Sequence, residues 1–204
     1  MPYHQFQTIT SAKRAFGLTS VEGHRLFSDI PSVKPSDILS KYLEQTLPLA
    51  SVGSEKARSE LVIAPILIEV RRMLEQSISI FSGEEFNVDE SLGLCGPCDF
   101  LVSQSQQILG LESPPVMVIE ARKADIAAGI GQCVATMVAA QYFNQEHQCE
   151  IACVYGIVTD GILWRFLRLI DHVVTIDAID YSIPPVDQVL GILKWILDPA
   201  LQDD

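Results

Sequence analysis

The clearest periodicity in the chain lies between Ser54 and Leu74, where apolar positions recur at helical spacing. Ser54 suits the N-cap and Arg71-Arg72 the C-terminal dipole, while Pro65 should start or kink the second half of the helix. Upstream, Pro35-Ser36-Asp37 followed by Ile38, Leu39, Tyr42, Leu43 and Leu47 predicts a capped amphipathic helix ending near Pro48. Ser51-Val52-Gly53 then reads as a turn. Residues 1–33 mix Gly, Ser, Pro and short apolar groups, which fits an irregular arm or a short helix near Ser11–Phe16.

Downstream the period changes to two. Ile78–Phe81 running on to Phe86-Asn87-Val88, then Cys98–Ser103, then Pro115–Lys123 read as strands separated by Gly-rich and acidic turns. A helix is predicted over about Ala127–Asn144, although Gly129 and Gly131 weaken its beginning. Glu150–Thr159, Ile162–Leu169 and Val173–Ile176 follow as strands, the first two joined by the Thr159-Asp160-Gly161 turn. A last helix covers about Val186–Leu197. The order helix, three strands, helix, strands, helix predicts an α/β fold: one domain over residues 1–204, with a mixed sheet flanked by helices and a core at about 54–197.

Composition adds bounds. With 204 residues, 48% hydrophobic and 20% charged, the chain can bury one sizeable core. No basic segment followed by an apolar run opens it, and the apolar stretch Leu61–Val70 contains Pro65 and Glu69, so a soluble, cytoplasmic protein is expected. Five cysteines without an export signal read as reduced thiols. The net charge of -12 argues against metal-free, non-specific gripping of a phosphate backbone, which depends on Lys and Arg. A local basic patch remains compatible with it, drawn from Lys13, Arg14, Arg71, Arg72, Arg122 and Lys123.

The chemistry concentrates in Val116-Met-Val-Ile-Glu-Ala-Arg-Lys123. Strand alternation puts Val116, Val118, Glu120 and Arg122 on one face and Met117, Ile119, Ala121 and Lys123 on the other. Asp99 opens the preceding strand, 21 positions ahead of Glu120. If the two strands pair antiparallel, Asp99 comes beside Glu120. Two close carboxylates repel unless a proton or cation lies between them, and a hard divalent ion such as Mg²⁺ prefers oxygen ligands.

An Asp at the start of one strand, Glu-x-basic at the end of the next and then a helix together resemble the PD-(D/E)XK nuclease superfamily. Ser59-Glu60 on the preceding helix, Val118–Asp125 followed by Gly129-Ile-Gly-Gln-Cys133, and the Tyr155–Phe166 hairpin extend the likeness over about residues 54–170. The resemblance implies a restriction-endonuclease-like fold and Mg²⁺- or Mn²⁺-dependent hydrolysis of DNA. Asp99 and Glu120 would be the metal ligands, with the Ala121 carbonyl and Glu60 assisting. Arg122 or Lys123 would act on the water or phosphate, and Gln132 would be the polar residue on the helix. It also implies a homodimer, since one site cuts one strand.

One position departs from the pattern. Arg122 stands where the family usually has lysine, and arginine cannot act as a general base because it does not deprotonate in proteins. A competing reading is therefore a protein that kept the fold, lost the chemistry and serves as an interaction or regulatory module. Two cysteine readings are weaker. Cys95-Gly-Pro-Cys98 matches a thioredoxin-type tetrapeptide, but a strand rather than a helix follows it. Zinc on Cys95, Cys98, Cys149 and Cys153 is disfavoured because the last two, in one strand, would stand roughly 13 Å apart. Trp164 and Phe166 share a strand face and read as core.

Overall fold

A computed structural model describes residues 3–108, 110, 114–122 and 125–202. Among the described residues, eight strands form one mixed sheet. A path of seven runs β1 (Thr19–His24), β7 (Val173–Asp177), β6 (Leu163–Ile170), β5 (Cys153–Thr159), β4 (Pro115–Ala121), β3 (Pro97–Ser103), β2 (Ser79–Glu85), and β8 (Tyr181–Ser182) pairs β6 off it. β2, β3 and β4 form an antiparallel meander, and β5 lies parallel to β4. That parallel pair is joined by a crossover through α5 (Ile126–Glu146), as parallel pairing requires.

Helices cover both faces. One apolar layer holds α2 (Asp37–Val52), α4 (Ala64–Met73) and α6 (Asp187–Leu197) against Phe100, Ile119, Ile157, Trp164 and Phe166. The other holds α5 and α1 (Ile9–Phe16) against Leu101, Val118, Val158 and Leu167. Trp164 and Phe166 are fully buried on one face, as their spacing predicts. α5 has the length and mean hydropathy (1.3) of a membrane span, yet 67% of that window is buried against the sheet and its neighbours.

The periodic segment at 54–73 contains a change of winding. Ser54 caps α3 (Glu55–Arg58) through its hydroxyl, a π-helical segment follows at Ser59–Ile63, and α4 begins with Pro65 in its first turn. Proline has no N–H to give back to the preceding turn. The Leu61 carbonyl accepts instead from the Thr46 hydroxyl of α2, at 2.9 Å.

Several expectations need correction. α2 does not stop at Pro48 but runs to Val52, because Glu44 and Pro48 lie on its exposed side, where a freed carbonyl can be hydrated. Of its apolar residues, Leu39 and Leu43 are buried while Ile38 and Tyr42 face outward. β5 starts at Cys153, not Glu150. Main-chain bonds from Cys149 to the Asn144 carbonyl and from Ile151 to the Cys149 carbonyl hold the preceding residues in a turn. β4 ends at Ala121, and Lys123 lies outside the described residues. β1, hidden in an irregular polar stretch, pairs in parallel with β7 at the sheet edge.

The two glycines near the start of α5 answer to close approach. A Cβ on Gly131 would run into the Phe6 carbonyl oxygen, and one on Gly129 would meet Val158 and Arg122. The N-terminal arm thus crosses α5 at a point where only glycine leaves room.

On the opposite face Glu69, buried on α4, ties α4 to the start of α2. Its Oε1 accepts from the Ser36 N–H at 2.8 Å and from Arg72 at 2.9 Å. The Arg72 bond, seconded by Ser36, holds its titration below the ordinary 4.5, against the opposing effect of burial. A depressed folded-state pKa contributes stability above the ordinary value and loses it as pH falls through the depressed one. Glu69→Gln is expected to cost about 1 kcal/mol at pH 7, mostly through Ser36 because the exposed Arg72 is screened. Urea midpoints of the two proteins should converge between pH 7 and a low pH beneath the depressed titration of wild-type Glu69, where it is protonated as well. An equal gap at both pH values would refute the ionic contribution.

Candidate functional site

The β3–β4 register decides the site. Phe100 pairs with Ile119, so one step further along the antiparallel ladder Asp99 falls opposite Glu120. Glu120 alternates with Val118 and therefore points toward the α5 layer. Asp99 Oδ2 accepts the Ala121 N–H at 2.7 Å, which fixes the aspartate against the end of the neighbouring strand.

Glu120 is buried beneath α5. Burial first and the Asp99 charge second push its titration up to about 8, with Glu55 adding to the rise, while Arg122 and Gln132 pull it down. Burial also raises Asp99, against the opposing Ala121 N–H. The two carboxylates thus share a desolvated place, where the Asp99 charge disfavours that of Glu120 and the Glu55 charge disfavours both.

Arg122 and Gln132 close a ring around Glu120. Arg122 Nη2 lies 3.0 Å from Glu120 Oε1 and donates to Gln132 Oε1 at 2.8 Å. Gln132 Nε2 donates to Glu120 Oε2 at 2.9 Å. The Arg122 main-chain N–H donates to the Thr159 carbonyl at 2.8 Å, fixing the residue where β4 leaves the sheet beside β5. Arg122 Nε is buried against Gly129 and has no hydrogen-bond partner among the described residues. A cavity of about 440 Å³ opens over this edge, bounded by His4 and Phe6 of the arm and by Arg122, Ala128 and Gln132.

Glu60 does not join this cluster. It is exposed and pairs with Lys56 at 3.7 Å on the outer surface of its helix. The helix acid whose charge reaches both Asp99 and Glu120 is Glu55, in the first turn of α3. Five helical positions turn the side chain by roughly 140°, so Glu55 and Glu60 face different ways. The sequence held a usable signal, since Glu55 directly follows the Ser54 cap. Sequence reasoning also passed over Arg58, a buried arginine that donates to the Asp160 carbonyl at 2.8 Å and the Ser51 carbonyl at 3.1 Å. It anchors the start of the Glu55 helix to the β5–β6 turn.

The cysteines form no second centre. None is disulfide-bonded, and among the described residues no group of three or more His, Cys, Asp or Glu side chains could hold a metal. A cation at the acid pair would therefore rely on two carboxylates with main-chain and water oxygens. Cys98 is buried on β3, and burial followed by the Glu120 charge pushes its thiol up to about 12, opposite to what a redox nucleophile needs.

Fold and site together define a mixed α/β protein: a large sheet flanked by helices, with a buried acid pair at the end of two antiparallel strands. No family model matches the chain, and no curated protein matches it.

Proposed function

We propose that this chain is a Mg²⁺- or Mn²⁺-dependent nuclease-like protein of the restriction-endonuclease-like class, acting on DNA phosphodiester bonds. The observation that carries the reading is Asp99 opposite Glu120 on adjacent antiparallel strands, with the Asp99 charge raising the titration of the buried Glu120. The order of α4, the β2–β4 meander, α5 and a parallel β5 beside the Glu120 strand adds support. The donor set fits a hard divalent cation, since it is all oxygen and mutually repulsive until neutralised.

Asp99, Glu120 and the Ala121 carbonyl would hold the ion, with Glu55 as the nearby helix acid. When bound, the ion would lower the pKa of a coordinated water and take up charge developing on the phosphate. Arg122 cannot take a proton from that water. Its role is to pair with phosphate charge at the cavity mouth, which requires it to share or leave Glu120. Gln132 orients both Arg122 and Glu120 from α5.

A specific observation also favours a second reading. Arg122 and Gln132 already satisfy both oxygens of Glu120, as they would in a protein that kept the fold as an interaction module and closed the site. Thermal unfolding with Mn²⁺ or Mg²⁺ separates the two at the binding step. An ion that binds the native state at about 100 times its Kd adds about 2.7 kcal/mol of stability, worth roughly 5–10 °C in a chain of this size. Wild type should show that rise and Asp99→Asn should not. No rise in wild type, or an equal rise in both, defeats the metal centre.

A further inference from the structure

α2 presents two apolar faces, and only one meets the core. Leu39, Leu43 and Ala50 point inward with Thr46 among them. About a third of a turn round the helix from these, Ile38 is 80% exposed, Tyr42 39%, Leu49 60% and Val52 87%. With Gln45 between them, positions 38, 42, 45, 49 and 52 step by four, three, four and three residues, the spacing of a helix–helix seam. The stripe carries no charge, although the chain has a net charge of -12.

The stripe is symmetric about Gln45, and its two ends differ in shape. At the Ile38 end a groove of about 410 Å³ runs between α2 and α4, bordered by Ile38, Tyr42, Pro65 and Ile68, the last 59% exposed. At the other end Leu49 and Val52 stand out as knobs. The span from Ile38 to Val52 is roughly 21 Å along the helix. A twofold axis near Gln45 would lay two copies of α2 antiparallel and place each copy's Leu49 and Val52 on the other's groove. Such self-matching of one patch is the property of a twofold interface.

We propose that this face is the interface of a homodimer in which two α2 helices pack antiparallel about Gln45. The occupant is a second copy of this chain, because the knobs of α2 and the groove that α2 forms with α4 lie at matching distances from a common centre on α2. Area agrees. At these exposures the five apolar side chains leave on the order of 500 Å² bare per copy, the upper end of what a monomer leaves uncovered. Two such patches with their polar rims reach the roughly 1,200 Å² at which specific interfaces begin. The face lies on the layer opposite α5, so the inference stands independently of the metal reading.

Sedimentation and light scattering of the full chain test it. Wild type should dimerise between about 1 and 100 μM, as expected for a small interface. The double variant Leu49→Glu/Val52→Glu, both positions exposed, should weaken association by about 100-fold or more while keeping circular dichroism and melting unchanged. Gln45→Cys should cross-link into a covalent dimer under mild oxidation, above the wild-type background and above Ser40→Cys, which lies off the stripe. A wild type monomeric at about 100 μM overturns the proposal. So does a dimer that survives the double variant, or cross-linking no better at position 45 than at position 40.

Discussion

Glu120→Gln is expected to lower Mg²⁺-dependent nicking of plasmid DNA by roughly a thousandfold or more, the scale on which loss of a charge-stabilising group acts in such sites. The expectation rests on geometry. Glu120 is the buried member of the acid pair, and no other carboxylate among the described residues occupies that strand end. The substitution is isosteric, and the amide oxygen can still accept from either Arg122 or Gln132, losing one of the two bonds, so the fold should persist. Circular dichroism and melting would confirm this before any loss of activity is read as chemistry. Arg122→Lys is the informative companion. Lysine can lose its proton and is a compact charge, whereas the arginine fork holds Glu120 and Gln132 together. Cleavage by wild type, lost in Glu120→Gln, supports the nuclease reading. Cleavage gained only in Arg122→Lys identifies a site closed by its own arginine. No cleavage in any of the three sinks the catalytic proposal and leaves the interaction module.

The second large effect concerns Arg58, which is buried close to the turn that ends β5. Its guanidinium bonds two main-chain carbonyls and lies 3.5 Å from Asp160 Oδ2. Arg58→Met would fill the same space beside Gly161 and Val62 while leaving those acceptors and a nearly buried carboxylate without their donor. Such losses cost about 2–4 kcal/mol, or roughly 5–12 °C in melting temperature for a chain near 200 residues. Asp160 also accepts from the Ile162 and Leu163 N–H groups, so the turn itself should survive. Asp160→Asn, which keeps those caps and removes only the charge, should cost much less. A melting shift below about 2 °C in Arg58→Met would show that the anchor contributes little.

These predictions depend on contacts of different visibility in the sequence. The Asp99–Glu120 pairing was legible because strand alternation and a hairpin register are local rules: once two runs pair antiparallel, the period of two fixes which residues meet. The outward turn of Ile38 and Tyr42 was not legible. Both lie on a helix whose apolar residues span more than one face, and the sequence pattern does not say which face meets a partner. Pro48 misled for a related reason, since its helix-breaking effect depends on whether the freed carbonyl meets protein or water.

Read alone, the chain determined its principal helices and strands, the mixed α/β organisation, and the two carboxylates that define the candidate centre, because each follows from periodicity, capping or turn chemistry within a few neighbouring residues. The tertiary structure decided what depends on rotation and on distant approach. It chose Glu55 over Glu60 through the turn of a helix around its axis. It drew Gln132 onto Arg122 and Glu120 from a helix ten or more residues further along the chain, and laid the N-terminal arm over Gly131. It paired β1 with β7 across some 150 residues of chain. Such choices belong to packing between elements, which local sequence rules do not encode.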